Sequence, residues 1–145
     1  MASKLQLRNP MDGMHFIWNV SQHVGDNISC QNQPTDVNLV KILIAEIMRV
    51  QPPAWVNRSL RIPFEMNGQM DFATAYWIRL FCDRNESHLP YEQKGIISPA
   101  RSASYGRDYW IIVKLNELLR RTAPNIWSNL PDRPNGSPQL RSELQ

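Results

Sequence analysis

Asn67-Gly68-Gln69-Met70-Asp71-Phe72-Ala73-Thr74-Ala75-Tyr76-Trp77-Ile78-Arg79-Leu80-Phe81 is a tight turn that runs directly into a helix. Asn-Gly favours a turn because both residues tolerate positive φ. Asp71 then stands where a side-chain oxygen can cap the first free N–H groups of a helix. Beyond it the apolar residues recur every three or four positions, which is the helical period. The spacing predicts a helix over 71–83 with Phe72, Ala75, Ile78 and Phe81 on its core face and Thr74 and Trp77 beside it.

Two further helices follow from the same logic. Pro34-Thr35-Asp36 opens the first, with Thr35 as the expected N-cap and Asp36 in the first turn, where negative charge suits the helix dipole. Val37, Val40, Leu43, Ile44 and Ile47 supply its stripe. Leu39, Ile42 and Met48 widen it, so this helix is expected to be buried on more than one side. It must stop before Pro52-Pro53. The last helix is expected to start near Asp108, with Ile111, Ile112, Leu115, Leu118 and Leu119 inward. Arg120 and Arg121 complement its negative end, and Pro124 terminates it. Ile126-Trp127 is expected to dock back on the core.

Between and around these helices the chain reads as connections. Residues 1–14 read as a flexible arm broken by Asn9-Pro10 and Asp12-Gly13. Residues 15–128 read as one domain, and 129–145 as a disordered Pro-, Gly- and Ser-rich tail. Phe16-Ile17-Trp18-Asn19-Val20 suggests an extended segment, residues 24–33 a loop, and Leu60-Arg61-Ile62-Pro63-Phe64 a short edge strand. Residues 84–108 form a long polar loop apart from Ile96-Ile97, a length often tied to function. The fold class expected is mainly α, a three-helix domain with long loops and a short strand pair.

Composition narrows the function classes. The chain has 145 residues, 42% of them hydrophobic, with five Trp, enough to bury a core without disulfide staples. A net charge of +3 with scattered basic residues gives no stripe that tracks phosphates, so nucleic-acid binding is not indicated. Cys30 and Cys82 read as free, partly buried thiols. No apolar run approaches membrane-spanning length. The first ten residues lack an apolar signal-peptide core, so synthesis in the cytoplasm is expected, with any assembly into a cell-envelope or injection machine proceeding without such a signal. Asn19, Asn27, Asn57, Asn85 and Asn135 each begin an Asn-x-Ser triplet, read as chance in an Asn- and Ser-rich chain.

Reactive constellations are sparse. His15, His23 and His88 are isolated, and Cys82-Asp83 with His88 matches no zinc spacing. No nucleophile elbow is present, and Ser102 and Ser104 read as turn residues. Glu65, Asp71, Asp83, Glu86 and Glu92 gather near the second helix, yet nothing in their spacing sets two carboxylates across one cleft. Gly68 and Gly95 are single glycines rather than a phosphate cradle. The reading is therefore of a protein without catalytic machinery, metal or cofactor. Trp77 falls off the main stripe and is the aromatic expected to be exposed for contact.

Several segments, in order, resemble the peptidoglycan-binding-like domain family over about residues 18–119. Val24-Gly25-Asp26-Asn27 through Gln33-Pro34-Thr35-Asp36-Val37-Asn38-Leu39-Val40-Lys41-Ile42-Leu43-Ile44 resembles its loop and first helix, with Lys41 where Gln is usual. Asn67-Gly68 with Thr74, Ile78 and Phe81 resembles its Asp-Gly, Thr, Ile and Phe-Gln series. Lys94-Gly95-Ile96-Ile97-Ser98-Pro99 and Tyr109-Trp110-Ile111-Ile112-Val113-Lys114-Leu115-Asn116 resemble its second glycine turn and last helix. Asn67 stands for Asp, Lys94 for an acid and Cys82 for Gln. Gly68, Thr74, Ile78, Phe81 and Gly95 are structural under this resemblance.

The resemblance implies a non-catalytic binding module for a cell-wall glycopeptide or a protein partner. Its expected contacts are stacking by Trp77 or Tyr105 and hydrogen bonds from Asn67, Gln69 and Arg107. The variant it looks most like is the stand-alone bacterial type found with secretion and injection systems. The alternatives are a structural adaptor in such an assembly, which could form an oligomer, and a small cell-wall hydrolase.

Overall fold

The computed structural model describes residues 2–11, 14–50, 52–53, 65–84, 95–101, 104–105, 108–132 and 138–144. The chain is mainly α. Among the described residues there are five α-helices, one 3-10 turn and three two-stranded antiparallel sheets, where three helices and one short strand pair were expected.

Two strands open the chain. β1 (Ser3–Met11) pairs with β2 (Met14–Asn19), Lys4 opposite Trp18 and Gln6 opposite Phe16, and the register shifts between Gln6 and Met11. This corrects the flexible arm expected over 1–14. The Lys4-Leu5-Gln6-Leu7 alternation has the period of a strand, and Ala2 and Leu7 are buried. Lys4 Nζ also lies 4.8 Å and 4.9 Å from the ring centres of Phe16 and Trp18, near enough for cation–π attraction. The extended segment expected at 16–20 is present as β2.

The central rod is α1 (Pro34–Val50), ending before Pro52. Val37, Leu39, Val40, Ile42, Leu43, Ile44 and Ile47 are all buried, so apolar contact surrounds it on nearly every side. Thr35 is not its N-cap. The helix already begins at Pro34, and the Val37 N–H bonds back to the Gln33 carbonyl; Pro at a helix start has no N–H to leave unpaired.

α2 (Phe72–Arg84) follows the 65–71 turn. Asp71 caps it, its Oδ1 accepting from the Thr74 N–H at 2.7 Å and from Thr74 Oγ1 at 2.6 Å. α3 (Ile111–Thr122) starts three residues later than expected, because Asp108-Tyr109 is extended as β6 and pairs with β5 (Ser104–Tyr105). After α3 comes α4 (Pro124–Ser128), a 3-10 turn (Leu130–Asp132) and α5 (Pro138–Leu144). The disordered tail expected over 129–145 is thus corrected for its described residues, 129–132 and 138–144. Leu130, Leu140 and Leu144 are buried, and Arg141 Nε donates to the Pro131 carbonyl at 3.1 Å. The long polar loop is also partly regular, for β4 (Ile96–Ile97) pairs with β3 (Val24–Gly25).

Four buried polar side chains organise this frame. Asn116 of α3 lies against the outer edge of β2. Its Oδ1 accepts from the Trp18 N–H at 2.8 Å and from Trp127 Nε1 at 2.9 Å, while its Nδ2 donates to the Trp18 carbonyl at 2.9 Å and the Ile112 carbonyl at 2.7 Å. One amide therefore does what a neighbouring strand would do. From α1, Asp36 accepts from the Ser21 and Gln22 N–H groups at 2.9 and 3.0 Å and from Ser21 Oγ at 2.8 Å. Asn38 Oδ1 accepts from the Gly68 N–H at 2.9 Å. Lys41 reaches the same turn, and its contacts belong to the candidate site. Trp55 and the edge strand expected over residues 60–64 lie outside the described residues.

Candidate functional site

The turn before α2 is locked from within. Lys41 has no exposed surface, and its Nζ donates to the Glu65 carbonyl at 2.7 Å, Asn67 Oδ1 at 3.0 Å and Asp71 Oδ2 at 3.2 Å. A buried ammonium is tolerable only with its three donors met, and here they are. Burial pushes the Asp71 carboxyl up, but hydrogen bonds from Thr74 and Lys41 outweigh it and hold the carboxyl below its ordinary range. Asn67 Oδ1 also accepts from the Gln69 N–H at 3.0 Å, an Asx turn. Gly68 has φ of 72°, and a Cβ there would sit 2.8 Å from Pro34 Cβ, so both conformation and space call for glycine.

These contacts place the residues expected to bind ligand. Asn67 is exposed, but its side-chain oxygen serves Lys41 and the turn. Gln69 is exposed beside it. Tyr105 lies in β5, its backbone opposite Asp108. Arg107 lies outside the described residues. Trp77 is corrected outright: it is 1% exposed and lies in the core. Its indole N–H finds no hydrogen-bond partner among the described residues. Of the residues read as structural, Thr74, Ile78 and Phe81 are buried, and Gly95 has φ of 72°.

Among the described residues the exposed aromatic is Phe72 instead. It is 83% exposed, and its ring lies 6.4 Å from that of half-buried Tyr76 at an interplanar angle of 21°. Tyr76 in turn meets Trp77 edge-on at 5.9 Å. One turn further along, exposed Arg79 pairs with Asp26 Oδ1 and Oδ2 at 3.1 and 3.2 Å. This ties α2 to the 26–30 loop. There Asn27 Oδ1 accepts from the Ser29 N–H and Oγ, both at 2.9 Å, and Ile28 stands fully exposed at the tip. Phe72, Tyr76 and Arg79 thus lie along one side of α2, two aromatic rings and one ion pair, and the ion pair leads to the loop whose tip carries Ile28.

The reactive residues do not converge. Among the described residues no group of three His, Cys, Asp or Glu side chains is placed to hold a metal ion. His23 Nδ1 is 2.9 Å from Ser98 Oγ, a pair bridging the loop after β2 to the segment after β4. Asp71 serves Lys41 and the helix cap, and Asp83 is exposed at the far end of α2. His88, Glu86, Glu92 and Ser102 lie outside the described residues. Cys30 and Cys82 are free thiols. Burial pushes Cys82 up to about 11 and raises Cys30 as well, the opposite of an activated nucleophile.

No helix among the described residues is long and apolar enough to cross a membrane. No family model matches this chain, and neither a curated protein nor a solved structure matches it.

Proposed function

We propose that this chain is a non-catalytic binding module with peptidoglycan-binding-like architecture, and that it holds its partner on the exposed face of α2. The observation that carries this reading is Phe72, an aromatic 83% exposed on a helix whose opposite face is core. A large apolar ring left in water beside a second ring supports a contact surface here. The Asp71 cap and the Lys41 contacts hold it in place, so little freedom is lost on binding. The test is retention of the purified chain on cell-wall sacculi at low salt. Retention that Phe72→Ala abolishes supports glycopeptide recognition; no retention of the unaltered chain counts against it.

A protein partner is the second reading, within a secretion or injection assembly. It is favoured by the internal use of Asn67 and Trp77. Both were expected to touch a glycan, and the face that remains is apolar with one ion pair, the make-up of a protein contact. Co-purification from the native host with components of such an assembly supports it, and a lone monomer in those extracts overturns it.

A further inference from the structure

We propose that Asn67 is a gated site of spontaneous covalent modification: it converts to aspartate or isoaspartate, losing ammonia, when the turn before α2 opens and not while that turn is closed. Asn67 and Asn135 are the two asparagines of the chain that precede glycine. An Asn-Gly pair is the most open to this reaction, because glycine has no Cβ to shield its nitrogen. The Gly68 nitrogen gives its proton to solvent base and bonds to Asn67 Cγ. The Cγ–Nδ2 bond breaks, and the side-chain nitrogen takes a proton from water and leaves as ammonia. Water then opens the five-membered imide. Cleavage between Cγ and the Gly68 nitrogen leaves aspartate at position 67. Cleavage between the main-chain carbonyl carbon and that nitrogen leaves isoaspartate, whose main chain runs through Cβ.

The closed turn withholds the nucleophile. Gly68 is buried, and its N–H donates at 2.9 Å to Oδ1 of Asn38, itself buried in α1. That proton is kept from solvent base. The amide is restrained too, for Asn67 Oδ1 accepts from Lys41 Nζ and from the Gln69 N–H, both at 3.0 Å. These two donors polarise the side-chain carbonyl, so the carbon is primed while the nitrogen is not. Asn67 is exposed and meets water. What the reaction awaits is release of Gly68 from Asn38, and local opening of a few residues supplies it without unfolding the chain. The change is one-way. Isoaspartate adds a main-chain atom just ahead of Gly68, which already lies too close to Pro34 to carry a Cβ. The turn cannot reclose as it was, and a brief opening becomes a permanent alteration at the start of α2.

The experiment ages the full chain at mildly alkaline pH, folded and in urea, and follows Asn67 and Asn135 by peptide mass mapping. Conversion at Asn67 is expected to be at least about tenfold slower in the folded chain than in urea, because the reaction then samples the open fraction alone. Asn38→Ala removes the acceptor that holds the Gly68 N–H. With folding checked by far-UV circular dichroism, it is expected to raise the folded rate at Asn67 at least about threefold, as a weakened local closure does. Asn135, read in the same samples, is expected to keep its rate. Where Asn38→Ala does not fold, Lys41→Met takes its place, since it frees the same turn from α1. Folded conversion at Asn67 as fast as in urea overturns the proposal, because the closed turn would then hold nothing back. A folded rate that the substitution leaves unchanged, or a rise that Asn135 shares, overturns it as well. These readouts involve no partner, so they stand or fall separately from binding to sacculi.

Discussion

Asn116→Ala should be among the most damaging single substitutions in this protein, although it removes no apolar surface of note and touches no exposed residue. Asn116 is fully buried, as are Ile112 and, within 1%, Trp18. Truncation leaves the Trp18 N–H, the Trp18 carbonyl and the Trp127 indole N–H without the partner they now share. Ile112 fares better, because a helical carbonyl also accepts the N–H four residues on. Three orphaned groups at about 1–3 kcal/mol each set an upper range. Relaxation and a water entering the vacated space reduce it, to about 3–5 kcal/mol in all. Against a net stability of about 5–15 kcal/mol this is a large fraction. It corresponds to a fall in Tm of roughly 10–15 °C at about 3 °C per kcal/mol for a chain of this size.

The assay is urea unfolding followed by Trp fluorescence, with a melt followed by far-UV circular dichroism. Trp127→Phe is the internal comparison. It removes one donor from Asn116 Oδ1 while the Trp18 N–H still occupies that oxygen, so its polar cost is about 1 kcal/mol. An Asn116→Ala protein within about 1 kcal/mol of the parent, or no worse than Trp127→Phe, would refute the assignment of Asn116 as the polar joint between α3, β2 and α4.

Three further outcomes follow from Lys41, Asp71 and the two cysteines. Lys41→Met should lower stability by about 2–4 kcal/mol, because Glu65 O, Asn67 Oδ1 and Asp71 Oδ2 lose their shared donor; Asp71, 37% exposed, can rehydrate and keeps the cost toward the lower end. The Asp71 carboxyl titrates lower when folded than when unfolded. Its contribution is thus present above the unfolded value near ~4 and lost as pH falls through the folded one. Lys41→Met should flatten this acid-side loss in urea titrations run across that range, and an unchanged pH slope would contradict the pairing. For the cysteines, timed alkylation at pH 8 read by intact mass should label Cys30 first. Cys82, pushed up to about 11 by burial, should react only in denaturant, and equal labelling of both in the native protein would contradict its placement.

The three long helices were legible because their apolar residues repeat at helical spacing over three turns or more, and Asp71 was legible as a cap from its place before the stripe. What was misread had a physical cause in each case. Phe72, Ala75, Ile78 and Phe81 step by three, and nine residues turn about 180° round a 3.6-residue helix. Phe72 and Phe81 therefore cannot share a face, whereas Trp77 and Phe81, four apart, can. β1 shows the alternation of a strand, but Asn9-Pro10 and Asp12-Gly13 weighed more as breakers than Leu5 and Leu7 did as a pattern. α5 is seven residues long, and its two core leucines, Leu140 and Leu144, are too few to stand out in a polar tail. The candidate site was least legible, since exposure of Phe72 depends on helix phase to within one residue.

The polar residues that sequence patterns rank lowest in a core do the joining here, and that bears on the contact surface. A helix satisfies its own backbone, so a polar side chain on its buried face is free to hold chain that satisfies nothing itself. Asp36 holds residues 21–22, Asn38 holds Gly68, Lys41 holds the 65–71 turn, and Asn116 holds the edge of β2. The chain from Lys41 through Asp71 to Thr74 runs from the most buried helix to the first turn of α2, and Phe72 sits inside that span. The backbone that carries the exposed ring is consequently fixed by the core, with Trp77, Ile78 and Phe81 buried on the opposite side of the helix. A surface held this way can meet a partner without first being ordered. It follows that Lys41→Met, which never touches the α2 face, should loosen the turn that presents Phe72 and weaken retention on cell-wall sacculi. Unchanged retention of that variant would show that α2 holds its face without help from α1.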